Sequence, residues 1–227
     1  MFFRILLLLA ALPLTTIAYG QTSDAPFKDP VAAIKALREG TLIVRLPSGQ
    51  RKMAALEEAL EKEEKGSSRA EWLRKELEST RLETQSFNEN MYGAFREIYD
   101  FSDLRFTYDY ATPELKAGRF KGHLLNEDLK PSADIGVENL PVFILSFGRT
   151  NKEYSDGVEA MVILGEQLKS PPPPFPYYQR LNDFKAFWGS IFPRPDQEEY
   201  DALRLVGKLN EKLEKFYNKN TAGANAG

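Results

Sequence analysis

The chain contains no cysteine in 227 residues. Disulfide staples, thiolate nucleophiles and cysteine-ligated zinc or iron–sulfur centres are thereby excluded. Histidine is nearly as scarce. His123 is the only one, which removes metal sites built from several imidazoles. An excess of one charge is also missing, since 30 basic residues stand against 33 acidic ones for a net charge of −3. The two signs are interleaved, so neither nucleic acid nor an anionic membrane surface finds the basic face it requires. Neither G-x-x-x-x-G-K-[ST] nor G-x-G-x-x-G occurs, which leaves no Gly-rich phosphate cradle. Beyond residue 20 no apolar run approaches the ~20 residues of a spanning helix. No cofactor and no metal is expected.

The first twenty residues, MFFRILLLLAALPLTTIAYG, have the form of a Sec-type signal peptide. Arg4 supplies the positive start, Ile5 to Leu12 the apolar stretch, and Ala18 and Gly20 the small residues before a cut. Removing residues 1–20 leaves 227 − 20 = 207 residues and takes away one base and no acid, so the charge becomes 29 − 33 = −4. The expectation is an exported protein, periplasmic or secreted, without stable membrane insertion after cleavage. Residues 21–29 read as a polar tether, 30–218 as one α/β domain, and 219–227 as a disordered tail.

Within the domain, Pro30 opens a short helix that Gly40 ends, and Leu42 to Leu46 form an apolar strand closed by Pro47. Residues 50–99 read as a helical hairpin broken at Gly66-Ser67-Ser68. Met53, Leu56 and Leu60 mark the first helix. Leu73, Leu77, Thr80, Thr84, Phe87, Met91, Phe95 and Ile98 mark the second, in steps of three and four. The threonines make a weak seam, so the tip is expected to project. Strands follow at 104–110, at an edge within 119–129, at 140–148 and at 158–165, with a short helical turn at TPELKAG and a turn signal at Asp156-Gly157. A short aromatic helix is expected at LNDFKAFWGSIF. A final helix after Pro195 carries Tyr200, Leu203, Val206, Leu209 or Leu213, and Phe216 on one face. The order implies an α/β fold: a mixed sheet of four to five strands flanked by helices, with the helical hairpin inserted.

Two stretches resemble the thioredoxin-like fold. GVENLPVFILSFG (136–148) resembles the segment in which that family sets a cis-proline before a strand, with Pro141 at the position. GTLIVRLPSGQRKMAALEEAL (40–60) resembles the family's first strand and helix. Where the paired cysteines would lie stand Ser48, Gly49, Gln50 and Arg51, so the resemblance implies a redox-dead member. The layout as a whole, with its GTLIVRLP opening and PFPYYQR arm, also resembles uncharacterised exported proteins of Bacteroidetes type. That resemblance carries no functional assignment.

Chemistry is sparse. His123 in HLLNED reads as a structural residue at a strand edge. Asp100, Asp103 and Asp109 lie among Tyr99, Phe101, Tyr108 and Tyr110, and paired acids beside aromatic rings are what a glycosidase uses. Asp and Ser also favour the turns required there. In SPPPPFPYYQR (170–180), the four prolines are expected to form a polyproline II arm. Its rings, Phe175, Tyr177 and Tyr178, are expected to bury against the sheet or the helix carrying Phe184, Phe187 and Trp188, as an internal connector; the alternatives are a partner's ligand or a glycan platform.

Two functions follow. The leading one is a non-catalytic exported domain that binds another envelope or extracellular protein through the hairpin. The rival is carbohydrate binding or processing by Asp103, Tyr108, Asp109 and Tyr110 with Phe175, Tyr177 and Tyr178. No catalytic residue is assigned.

Overall fold

The computed structural model describes residues 28–150, 157–165, 168–181 and 195–221. The signal peptide, most of the tether, Asp156 of the turn signal, the aromatic segment with Phe184, Phe187 and Trp188, and residues 222–227 lie outside them.

Helix α1 (Pro30–Glu39) starts where Asp29 accepts hydrogen bonds from the Val31 and Ala32 N–H groups, at 3.2 and 3.0 Å. Proline at the first turn costs no bond there, and Gly40 ends the helix. Strand β1 (Thr41–Leu46) follows at once. Gly40 is dictated by crowding: a Cβ on it would lie 2.1 Å from the Pro141 carbonyl oxygen and 2.8 Å from that of Ala36. The Leu140–Pro141 peptide is cis, and the Pro141 carbonyl accepts from the Thr41 N–H at 3.1 Å. That bond sets β5 (Val142–Arg149) beside β1 in parallel register, Thr41 opposite Val142.

On its other side β1 pairs in parallel with β2 (Asp103–Tyr108), Leu42 opposite Leu104 and Val44 opposite Phe106. After β2 come a 3-10 turn (Asp109–Ala111), α4 (Thr112–Lys116), and the two-residue strands β3 (Leu124–Leu125) and β4 (Pro131–Ser132). Strand β6 (Glu159–Leu164) returns antiparallel to β5, and β7 (Tyr178–Arg180) adds an antiparallel edge to β6. The sheet order is β4-β3-β2-β1-β5-β6-β7. The α/β class and mixed sheet are as expected from the sequence. β3 falls within the edge expected at 119–129, and the strands beyond five are β4 and β7, segments of two or three residues too short to show a period of two.

Alternation divides the core. Leu42, Val44 and Leu46 of β1 join Phe106, Phe143 and Leu145 on one face, covered by α1, by α3 (Ser68–Ile98) and by α5 (Pro195–Thr221). Ile43, Val142 and Ile144 point to the other face, covered by Leu115 of α4 with Leu124, Phe120, Ile135 and Val137. Helix α5 buries Ala202, Leu205, Val206, Leu209 and Leu213. Tyr200, expected on that buried face, is exposed, one of two departures at this helix. It lies about 200° around the helix from Ala202. The other is length: α5 continues through Thr221, three residues into the expected tail.

Helix α2 (Gln50–Glu61) and the first half of α3 form the hairpin, with Ser67 capping α3 through the Ala70 N–H at 3.1 Å. Leu73, Thr80, Thr84, Phe87, Met91 and Phe95 are buried as the spacing predicts, while Leu77 and Ile98 are half-buried. The main core takes residues of α3 only from Phe87 onward and none from α2, and α2 buries no residue at all.

The proline arm is a turn rather than a polyproline II rod. Pro173–Pro174 is cis and the Phe175 N–H bonds the Pro172 carbonyl at 3.1 Å, the geometry of a type VI turn. Phe175 and Tyr177 are 2 and 3 % exposed, and Tyr178 is half-buried under Lys212, whose Nζ lies 5.8 Å from its ring centre. Phe175 meets Phe216 edge-on at 6.3 Å. Phe175 and Tyr177 are thus buried as a connector requires, and Tyr178 only in part.

Two substitutions test this packing. Gly40→Ala should lower unfolding free energy by about 3 kcal/mol in urea titrations, since backbone must move to admit the methyl group. Phe175→Ala should cost about 3 kcal/mol and Tyr178→Ala less than half as much. Equal, small losses for both would place the arm outside the core.

Candidate functional site

In open α/β sheets ligands bind beyond the carboxyl ends of the parallel strands, and here several predicted polar residues gather. The loop after β1 runs Pro47-Ser48-Gly49 into α2, with Gly49 at φ +67° and its Cα against Thr84, where a Cβ would stand 3.0 Å from the Thr84 hydroxyl. Asn88 of α3 donates to the Pro47 carbonyl at 2.9 Å. From the end of β2, the Asp109 carboxylate accepts the Ser48 N–H at 3.1 Å. Arg45 of β1 donates to the Thr112 hydroxyl at 3.0 Å, and that hydroxyl donates to the Asp109 carbonyl.

The cluster is closed on itself. Burial draws the Arg45 guanidinium below its ordinary pKa, and the Asp109 charge opposes the shift. The Tyr110 ring stacks on Tyr108, centres 5.6 Å apart, and the Tyr108 hydroxyl donates to the Leu129 carbonyl at 3.1 Å. Burial raises both phenols above their usual range, assisted at Tyr108 by Tyr110 and Glu89 and at Tyr110 by Asp109. Both stay protonated at neutral pH. Asp109 spends one oxygen on the loop, and Arg45 is held by Thr112. The arrangement locks the β1–α2 turn to the end of β2.

The remaining predicted residues lie elsewhere. Asp103 begins β2 and accepts from the Asn139 amide. Six residues of strand, about 20 Å, separate it from Asp109. A glycosidase pair stands at most about 9.5 Å apart, so these two acids do not form one. Asp100 instead pairs with Asn210 of α5 at 2.7 Å. Tyr177 and Tyr178 flank β6, four strand spacings or about 19 Å across the sheet from β2. The surface expected from Asp103, Tyr108, Asp109, Tyr110, Phe175, Tyr177 and Tyr178 is not one surface. Sequence proximity had grouped residues that the strand direction and sheet order pull apart.

The two thioredoxin-resembling stretches pair strand to strand as β1 and β5, with their marker residues at opposite ends. Pro141 sits at the start of β1, bonded to Thr41, while Ser48 to Arg51 follow its end. His123 immediately precedes β3: its backbone carbonyl accepts from the Thr107 hydroxyl at 2.8 Å, and its Nε2 lies 3.9 Å from Glu114.

Sequence reasoning missed Trp72, which is 55 % exposed on α3. It stands one residue before Leu73, off the buried seam, within a helix otherwise coated with charge. An off-seam tryptophan in such a helix was the available signal. Leu82 is 56 % exposed on the same helix. Among the described residues no helix is long and apolar enough to cross a membrane. Compared with known proteins, the chain matches no family model, no curated protein and no solved structure.

Asp109→Ala should destabilise the fold by about 1 kcal/mol by freeing the Ser48 N–H, and Asp109→Asn by less, because its amide oxygen still accepts. Denaturant titration of both variants checks the order. A loss near zero for Asp109→Ala would remove the lock.

Proposed function

We propose that this protein is a non-catalytic binding module, exported through its first twenty residues, which engages another envelope or extracellular protein through the α2–α3 hairpin. The observation that carries the reading is the division of α3. Its second half completes the core of the sheet, and its first half with α2 supplies nothing to that core. A 12-residue helix that buries no side chain adds little to the stability of the domain, and Trp72 and Leu82 keep large apolar surface in water.

A thioredoxin-like scaffold is supported only in part, by the strand–helix–strand opening and the cis-proline before β5. It brings no chemistry, since the residues at the cysteine positions are Ser48 to Arg51 and stand a strand length from Pro141. The resemblance to exported proteins of Bacteroidetes type bears on location alone.

Gly49 lies against Thr84, so the hairpin can be cut at its base. Replacing residues 51–82 with a short Gly-Ser turn should leave cooperative thermal unfolding, followed by circular dichroism. It should also abolish capture of those envelope or culture-supernatant proteins that the intact chain retains. A variant that no longer unfolds cooperatively would make the hairpin part of the core. Identical capture by both proteins would move the contact elsewhere.

A further inference from the structure

The flank of the hairpin that carries Trp72 has a charge arrangement that selects its occupant. The seam of α3 against α2 consists of Ala70, Leu73, Thr80 and Thr84, all buried. Trp72 lies roughly a third of a turn from that seam. Two ion pairs lie on the same side: Lys52 of α2 to Glu76 at 2.8 Å, and Arg69 to Glu63, in the turn just past α2, at 2.8 Å. By helical spacing from Lys52, Ala59 turns to this flank. By the same helical spacing Ala55 also turns to this flank. A large exposed indole thus stands beside small side chains, bracketed along the hairpin by one ion pair at each end.

The four charges alternate around the patch. Lys52 is positive and Glu63 negative along the α2 side; Glu76 is negative and Arg69 positive along the α3 side. Such an arrangement has no net charge and so gives a strongly acidic or basic partner no advantage. It is complementary to itself. A two-fold axis across the helices puts Lys52 over Glu63 of a second copy and Glu76 over Arg69. A two-fold axis along them puts Lys52 over Glu76 and Glu63 over Arg69. Either closed, isologous arrangement brings the two indoles to the centre, with unlike charges at every corner.

Resting on the reading of the hairpin as the contact element, we propose that this flank is a homodimer interface, its occupant the same flank of a second copy centred on Trp72. Exposed ion pairs add little affinity and act mainly on register. The indole is the anchor, and the dimer is a reversible one.

Sedimentation velocity of the purified protein over a concentration series is the test. The expected result is a concentration-dependent dimer that Trp72→Ala weakens at least about tenfold. Tyr200→Ala, which removes a similarly exposed ring from α5, should leave it unchanged. Lys52→Glu with Arg69→Glu makes every corner acidic, and Glu63→Lys with Glu76→Lys makes every corner basic. Each double variant alone should be monomeric, and an equimolar mixture should dimerise. Circular dichroism reports whether the hairpin stays helical in all of them. A monomer at every concentration, a dimer indifferent to Trp72→Ala, or a mixture that fails to pair while its helices persist would overturn the proposal. A monomeric protein whose hairpin-excised form still unfolds cooperatively would sink the homodimer alone. Loss of the fold on excision would sink the underlying reading.

Discussion

Burial of β1 on both faces is the constraint to which every other element answers. Its side chains alternate between two cores: Leu42, Val44 and Leu46 toward α1, α3 and α5, and Ile43 toward α4 and the β3–β4 region. A strand covered on both sides cannot sit at an edge, so parallel partners flank it. A parallel pair needs a long crossover. The chain supplies one through α2 and α3 between β1 and β2, and another through α4, β3 and β4 between β2 and β5. The tight approach of Gly40 to Pro141 places the start of β5 level with the start of β1 and so sets the register of the parallel centre.

That geometry gives the polar residues at the carboxyl end of the sheet a structural task. The turn from β1 to α2 carries exposed backbone donors, as any strand-to-helix turn does. Asp109 meets one of them, and Arg45 and Thr112 hold the turn that carries Asp109. Asp109 and Arg45 are thus tied into the fold, and the His123 imidazole lies at another edge, its Nε2 3.9 Å from Glu114. The hairpin presents a different kind of surface. There the helices are held to each other by a narrow seam with threonines in it, and large apolar side chains remain in water beside ion pairs.

Much of the chain was readable from local pattern. Pro30 and Gly40 bound a helix because one lacks an N–H that the first turn does not need and the other admits a neighbouring carbonyl. The seven-residue beat from Leu73 to Phe95 found the face of α3, since helical period depends on neighbours three and four apart. The strands at 142–149 and 159–164 were legible as apolar runs. The proline arm was half legible. Its aromatic content pointed inward, but a cis peptide is a choice among near-equal states that tertiary contacts make, so a rod was expected where a turn stands. Tyr200 misled for a similar reason: a helical face is defined by what covers it, and α3 meets α5 at Ser86 and Asn90 through Glu198.

The amino-acid sequence by itself determined the class of the fold and the chemistry closed to it. Hydrophobic period, caps and turn residues are local properties, and the want of cysteine and of a second histidine needs no coordinates to be felt. Only the tertiary structure decided which residues share a surface. Asp103 and Asp109 are six positions apart in the chain and a full strand apart in space, whereas Lys52 and Glu76, or Glu63 and Arg69, touch across a turn. An extended strand carries residues apart at about 3.3 Å each, and a reversed pair of helices brings distant ones back together. Which of these a segment does is settled by what it packs against.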